Sequence, residues 1–154
     1  MNIQELVQAV DIENIIFHEE RARRIVREDE ENDLLSFPIR KDMIAISIEN
    51  QSLRFRFKSI LGEKTVEFVS DCEIVYSSKE QFPKLENEVL QEFASRVAFM
   101  AVFPFIRASL MMSAARIGAD IPVIGIVRQG QFQQGDPLSQ DDIRNEFLDK
   151  KPET

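Results

Sequence analysis

Few residues in this chain could do chemistry, and the neighbours of each argue against it. His18 is the single histidine, and it sits beside Glu19 and Glu20. An imidazole among carboxylates can act as a general base or a metal ligand, but a metal site needs further nitrogen or thiolate ligands, and there is no second histidine to supply one. His18 therefore reads as a surface imidazole on a strand. Cys72 is the single cysteine. Asp71 and Glu73 flank it, and two nearby negative charges disfavour a thiolate, so it is a poor nucleophile or redox centre. The Asp141-Asp142 pair lies in a charged segment and reads as solvated. No phosphate loop, glycine-rich nucleotide turn or nucleophile elbow occurs. The chain is expected not to be an enzyme and to use no cofactor and no metal.

What the chain does carry is apolar side-chain area. It has 12 phenylalanines and 5 methionines but no tryptophan, and Met100, Met111 and Met112 cluster in one apolar stretch. Flexible, polarizable methionines of this kind suit adaptable binding surfaces. The stretch runs from Val97 to Ala115 and encloses Phe103-Pro104-Phe105-Ile106-Arg107. A proline there removes a helical hydrogen bond and kinks the helix, and a desolvated guanidinium must find a partner. Arg107 is accordingly expected to pin the kinked helix to a neighbouring carbonyl or carboxylate. At roughly nineteen residues the stretch is at the lower limit for crossing a bilayer. Arg107 near its middle and Arg96 and Arg116 at its ends oppose insertion, so a helix buried in a core or subunit interface is expected instead.

The elements that must carry this stretch can be read from periodicity. Ile15 and Phe17 alternate with polar neighbours in a long first strand, whose Asn2 to Ala9 portion could instead be a helical turn. The charge-dense run Glu19 to Asp33 reads as a solvated strand end and a mobile connection. Ile44, Ile46 and Ile48 alternate, as do Leu53, Phe55 and Phe57 against Arg54, Arg56 and Lys58, then Val66 and Phe68, then Ile74 and Tyr76. Period-two alternation describes strands with one buried and one wet face. Gly62-Glu63-Lys64 connects two of them as a hairpin. The period becomes helical from Glu86. Val89, Phe93, Val97, Ala101 and Phe105 form one line, with Leu90, Ala94, Ala98 and Val102 beside it. That face is too wide for one contact surface, so the helix must be covered on two sides. Gly118 suits the C′ position. Ile121 to Phe132, broken by Pro122, Gly125 and Gly130, reads as an extended segment laid over something else. Ser139 begins a short C-terminal helix through Phe147 and Leu148.

The global numbers agree with a single α+β unit. The chain has 154 residues and a formal net charge of −8, enough length for one real core and no basic footprint for nucleic acid. A lone cysteine excludes an intrachain disulfide and fits a reducing cytoplasm. Met1 to Val10 contains Glu5 and no basic start, so a secretory signal is not expected.

The helix motif, Phe103-Pro104-Phe105-Ile106-Arg107 followed by Gly118 and Pro122, resembles the signature of the SecB family of export chaperones. Asn14 to Glu19 is similar to that family's opening strand, Ile60 to Thr65 with Val66 to Tyr76 to its hairpin and third strand, and Ile124, Ile126 and Phe132 to its trailing loop. The resemblance implies a four-stranded antiparallel sheet with a long kinked helix packed on it, over residues 1–136, with 137–154 as a C-terminal helical segment and tail. It implies an oligomer, dimer or tetramer, in the cytoplasm. It further implies ATP-independent holding of unfolded polypeptide in hydrophobic grooves, for export or for one dedicated client. Candidate client-binding residues are Phe99, Phe103, Phe105, Ile124, Ile126 and Phe132, with Phe55 and Phe57 on the sheet side. Pro104, Arg107, Gly118 and Pro122 are the structural signature. The family's glutamate after the arginine is Ala108 here. Asn14, His18 and Ser70 stand where export chaperones present acids to the motor SecA, so the resemblance does not extend to SecA docking. A single-partner adaptor, such as an antitoxin-specific chaperone, and a small-molecule enzyme or carrier using the sheet–helix cavity are the alternatives.

Overall fold

Asn2 begins the first element by capping it. Its side chain accepts from the Glu5 amide at 3.0 Å, and the Glu5 carboxylate accepts from the Asn2 amide at 2.8 Å, a reciprocal box that fixes a helix start. The computed structural model describes residues 1–26, 39–120 and Pro122. Among them α1 spans Ile3–Ala9, β1 Val10–Arg24, β2 Ile39–Glu49, β3 Ser52–Gly62 and β4 Val66–Ser78. The Asn2 to Ala9 portion is thus a helical turn and not the start of the first strand. The first five charges of the Glu19 to Asp33 run, as far as Arg24, are inside β1; residues 27–38 lie outside the described residues.

The sheet is antiparallel, in the order β1-β4-β3-β2. Its helix side is built from Phe55, Phe57, Cys72, Ile74 and Tyr76, all buried. Across it runs one long helix in three parts: α2 at Asn87–Phe93, a wide π turn at Ala94–Ala98, and α3 at Phe99–Ile117. Phe93 stacks on Phe55 with ring centroids 5.3 Å apart and meets Tyr76 edge-on at 5.1 Å; Phe99 meets Phe57 at 5.4 Å. These spacings are those of favourable aromatic pairs. Leu6 of α1 is fully buried in the same core.

An irregularity not expected from the sequence precedes Pro104. The π turn leaves the Phe99 amide bonded to the Ala94 carbonyl, and α3 then continues through Pro104; π turns and prolines are both recognised sources of helix distortion. The buried positions on α3, including Phe99, Val102, Ile106, Leu110 and Ala114, step by three and four. A line of pure fours drifts by about 40° per step, so the line expected inward leaves the core: Phe93 is buried, Val97 and Ala101 half-buried, and Phe105 exposed. The helix ends as expected. Gly118 takes φ 65°, its amide bonds Ala115 and that of Ala119 bonds Ala114, a Schellman closure. Arg24 of β1 adds Nη2 hydrogen bonds to the Ile117 carbonyl at 2.9 Å and the Gly118 carbonyl at 3.3 Å.

Candidate functional site

Among the described residues, the far side of α3 gathers more of the exposed large apolar side chains than any other element. Met100 is 51% exposed, Phe105 47%, Met111 39% and Met112 55%. Val97, Ala101 and Phe103 are half-buried beside them, and Phe103 rests on Phe99 with ring centroids 5.6 Å apart. Besides Arg116 near the helix end, the charge among these positions is Arg107, which is exposed. Among the described residues it has no hydrogen-bond or ion-pair partner, so the expected pin to a neighbouring carbonyl or carboxylate is not formed there. Pro104 and Ala108 are exposed there too. Exposed apolar patches rimmed by polar groups mark interaction surfaces, and methionine and phenylalanine give this one a deformable contact area.

The other candidate residues divide by depth. Phe55 and Phe57 are 0% and 1% exposed, and Phe99 is 2% exposed. All three close the sheet–helix core and line no groove in the single chain, because the helix covers them. Phe103 and Phe105 reach the open face. Gly118 is the helix stop and Pro122 follows it half-buried; Ile124, Ile126, Phe132 and the 137–154 segment lie outside the described residues. A second apolar row, not read as a site from sequence, borders the sheet: Ile44 and Ile46 are half-buried and Ile48 is 39% exposed on β2. Its signal was the alternation itself, but only the strand order shows that the row lies at an edge. A shallow groove of about 410 Å³ opens between α1 and the long helix, lined by Ile3, Gln4, Val7, Gln8 and Arg96.

The sheet face away from the helix, expected to be wet, is closed by its own charges. Arg56 binds Asp71 in a fork, Nε to Oδ1 at 2.8 Å and Nη2 to Oδ2 at 2.6 Å. Its hydrogen bond to Asp71 raises the guanidinium pKa against the opposing effect of burial. Glu73 lies 3.3 Å from His18 Nε2 and 3.6 Å from Arg54, and Lys58 lies 3.4 Å from Glu19. Asp71, Glu73 and Lys58 are buried, which is tolerable because each has an opposite charge in reach. His18 is therefore tied to this network. Ser70 is fully buried and presents nothing to a partner. Burial, more than the flanking acids, pushes the Cys72 thiol up to about 12, so it stays protonated and unreactive. Among the described residues no group of histidine, cysteine, aspartate or glutamate is placed to hold a metal.

No family model matches the chain. It is 26% identical over 129 residues to the SecB-like chaperone SmegB of Mycolicibacterium smegmatis, covering 84% of this chain and 83% of that one. Its fold is similar to the Mycobacterium tuberculosis Rv1957 SecB-like chaperone in complex with a ChAD peptide from the Rv1956 HigA1 antitoxin, with a TM-score of 0.58 and 13% identity over 80% of this chain and 91% of that one. A protein of unknown function from Streptococcus agalactiae is similar at a TM-score of 0.50 and 5% identity, over 76% of this chain and 97% of its own.

Proposed function

We propose that this chain, SecB-like in sequence and in fold, is a chaperone that holds unfolded or partly folded polypeptide without ATP on the open face of α3. The observation that carries this is the exposure of Met100, Phe105, Met111 and Met112 along one helix that is buried on its other side. Unfolded chains bind through many weak apolar contacts whose avidity gives the affinity. A net charge of −8 keeps such a surface soluble. Phe103 and Phe105 are its aromatic contacts, and the resemblance adds Ile124, Ile126 and Phe132. Part of the same face joins copies into a dimer or tetramer, and the protein works in the cytoplasm, where a lone thiol stays reduced.

The test is light scattering from a chemically unfolded model protein diluted into buffer with and without the chain. Suppression near stoichiometric amounts, with no ATP, is expected; none at any ratio would sink the general holdase. A second reading, a chaperone for one client, is favoured by the antitoxin peptide on the M. tuberculosis relative. It calls for tight binding of one partner's short segment with no protection of other proteins.

A further inference from the structure

The described arginines fall into two groups. Arg21, Arg23, Arg40, Arg54, Arg56 and Arg96 each lie against a carboxylate, and Arg24 donates to the carbonyls that end the long helix. Arg107 and Arg116 are exposed and have no hydrogen-bond or ion-pair partner among the described residues. Arg116, in the last turn, suits the negative end of the helix dipole. Arg107 stands in the middle of α3, beyond the reach of that effect. No acidic residue occurs between Glu92 and Asp120, although the chain has 27 of them and a net charge of −8. The charges on α3 are therefore positive only.

The two guanidiniums bracket the open face. Arg107 and Arg116 are nine residues apart, and at about 100° per residue they stand about half a turn from one another, on opposite borders. Around the helix between those borders lie Phe105, Ala108, Met111, Met112 and Ala115, all exposed. Along the axis the pair is separated by roughly 14 Å, which an extended segment crosses in about four or five residues. A guanidinium binds a carboxylate through two parallel hydrogen bonds and gives up its hydration readily. A segment that covers the apolar strip also excludes water from such a pair and strengthens it. A neutral segment leaves both arginines unanswered, and a basic one is opposed by them.

We propose that Arg107 and Arg116 make the open face of α3 selective for apolar segments of held polypeptide that carry carboxylates about four or five residues apart. This rests on the holding function above and names its substrate class. The net charge of −8 by itself favours the opposite choice, basic segments. At physiological salt, however, charges beyond about 8 Å are largely screened, so a bound segment answers to the arginines that it touches. A second copy fits this part of the face less well. A two-fold contact sets a patch against itself, and this patch holds arginines with no acid to meet them. The part of the face that joins copies is then the Met100 end, where Arg96 is already paired with Glu92.

The probes are three fluorescein-labelled synthetic peptides with one leucine–phenylalanine–serine frame. They carry glutamate, glutamine or lysine at the same two positions, about four residues apart. Binding to the full chain is read by anisotropy at about 0.15 M and about 1 M salt. At the lower salt the glutamate peptide is expected to bind about tenfold more tightly than the glutamine peptide, from two exposed pairs near the upper end of their usual strength. The lysine peptide should bind more weakly than both, and the spread should close at the higher salt. Arg107→Gln with Arg116→Gln should make the glutamate and glutamine peptides equal, and Arg107→Glu should favour the lysine peptide. Lysine binding as tight as glutamate on the native chain, or a glutamate preference that survives the double variant, overturns the selection. A smaller oligomer in the double variant with the preference unchanged gives these arginines to a second copy and overturns it too. If the selection fails while model-protein aggregation is still suppressed, the holding function stands; if no peptide binds and no unfolded protein is held, both fall.

Discussion

The two faces of the sheet bury their side chains by opposite means. On the helix side, Phe55, Phe57 and Tyr76 are covered by Phe93 and Phe99, and burial there is the removal of apolar area from water. On the other side Asp71, Glu73 and Lys58 are buried by partners of opposite charge. The difference locates the binding surface. A face whose charges are spent on one another offers little to a strongly charged partner, whereas the helix that closes the first face leaves its own far side apolar and uncovered.

The contrast breaks most visibly at its aromatic end. Phe55→Ala removes a ring that is 0% exposed and touches both Phe93 and Tyr76. The expected loss is about 3–5 kcal/mol, measured by urea unfolding. On the charged side, Asp71→Ala strands Arg56 and should cost about 3 kcal/mol, the low end for a broken buried pair because Arg56 is partly exposed and can rehydrate. Replacing both, Arg56→Met with Asp71→Leu, should recover most of that loss. Recovery would show that the pair closes the face without being its main source of stability; a double variant as unstable as the single would show the reverse.

Alkaline titration sharpens the same comparison. Burial pushes both Cys72 and Tyr76 on the helix side up to about 12. Each must stay protonated in the folded chain while the unfolded chain releases its proton above its ordinary value. The folded state then binds more protons than the unfolded one, so stability falls as pH rises, from about 9 for Cys72 and about 10 for Tyr76, by on the order of 1 kcal/mol per pH unit for each. Cys72→Ala should remove the earlier part of that slope, and thiol reagents should react with Cys72 only after unfolding.

Much of this was legible in the sequence, and the failures share a cause. Alternation at Leu53, Phe55 and Phe57 gave the strand and its inward face, and Gly118 gave the helix stop, because both depend on local geometry alone. Alternation could not tell that Arg56 and Lys58 face partners instead of water, since a polar residue has the same period in either case. Spacing by fours placed Phe105 with Phe93, but helical drift and the wide turn at Ala94–Ala98 separate them. The bulged β1 edge and the slip-free β2 pairing depend on register, which only the paired strands reveal. For the site, Phe103 and Phe105 were found by composition and motif, whereas Phe55, Phe57 and Phe99 were the same residue type in a different layer.

The smallest effect on stability should accompany the largest on function. Phe105 and Met112 are 47% and 55% exposed on α3, so Phe105→Gln with Met112→Gln removes little buried area, and glutamine is as good a helix former as methionine and better than phenylalanine. Unfolding should shift by no more than about 0.5 kcal/mol. Suppression of model-protein aggregation should nonetheless fall sharply, because the double variant takes two of the four most exposed apolar side chains from the open helix face. Size-exclusion chromatography with light scattering separates the two uses of that face. An unchanged oligomer with lost suppression places the client on these residues. A smaller oligomer with suppression retained would assign them to the subunit interface and move the client to the apolar row on β2 and the residues beyond Gly118.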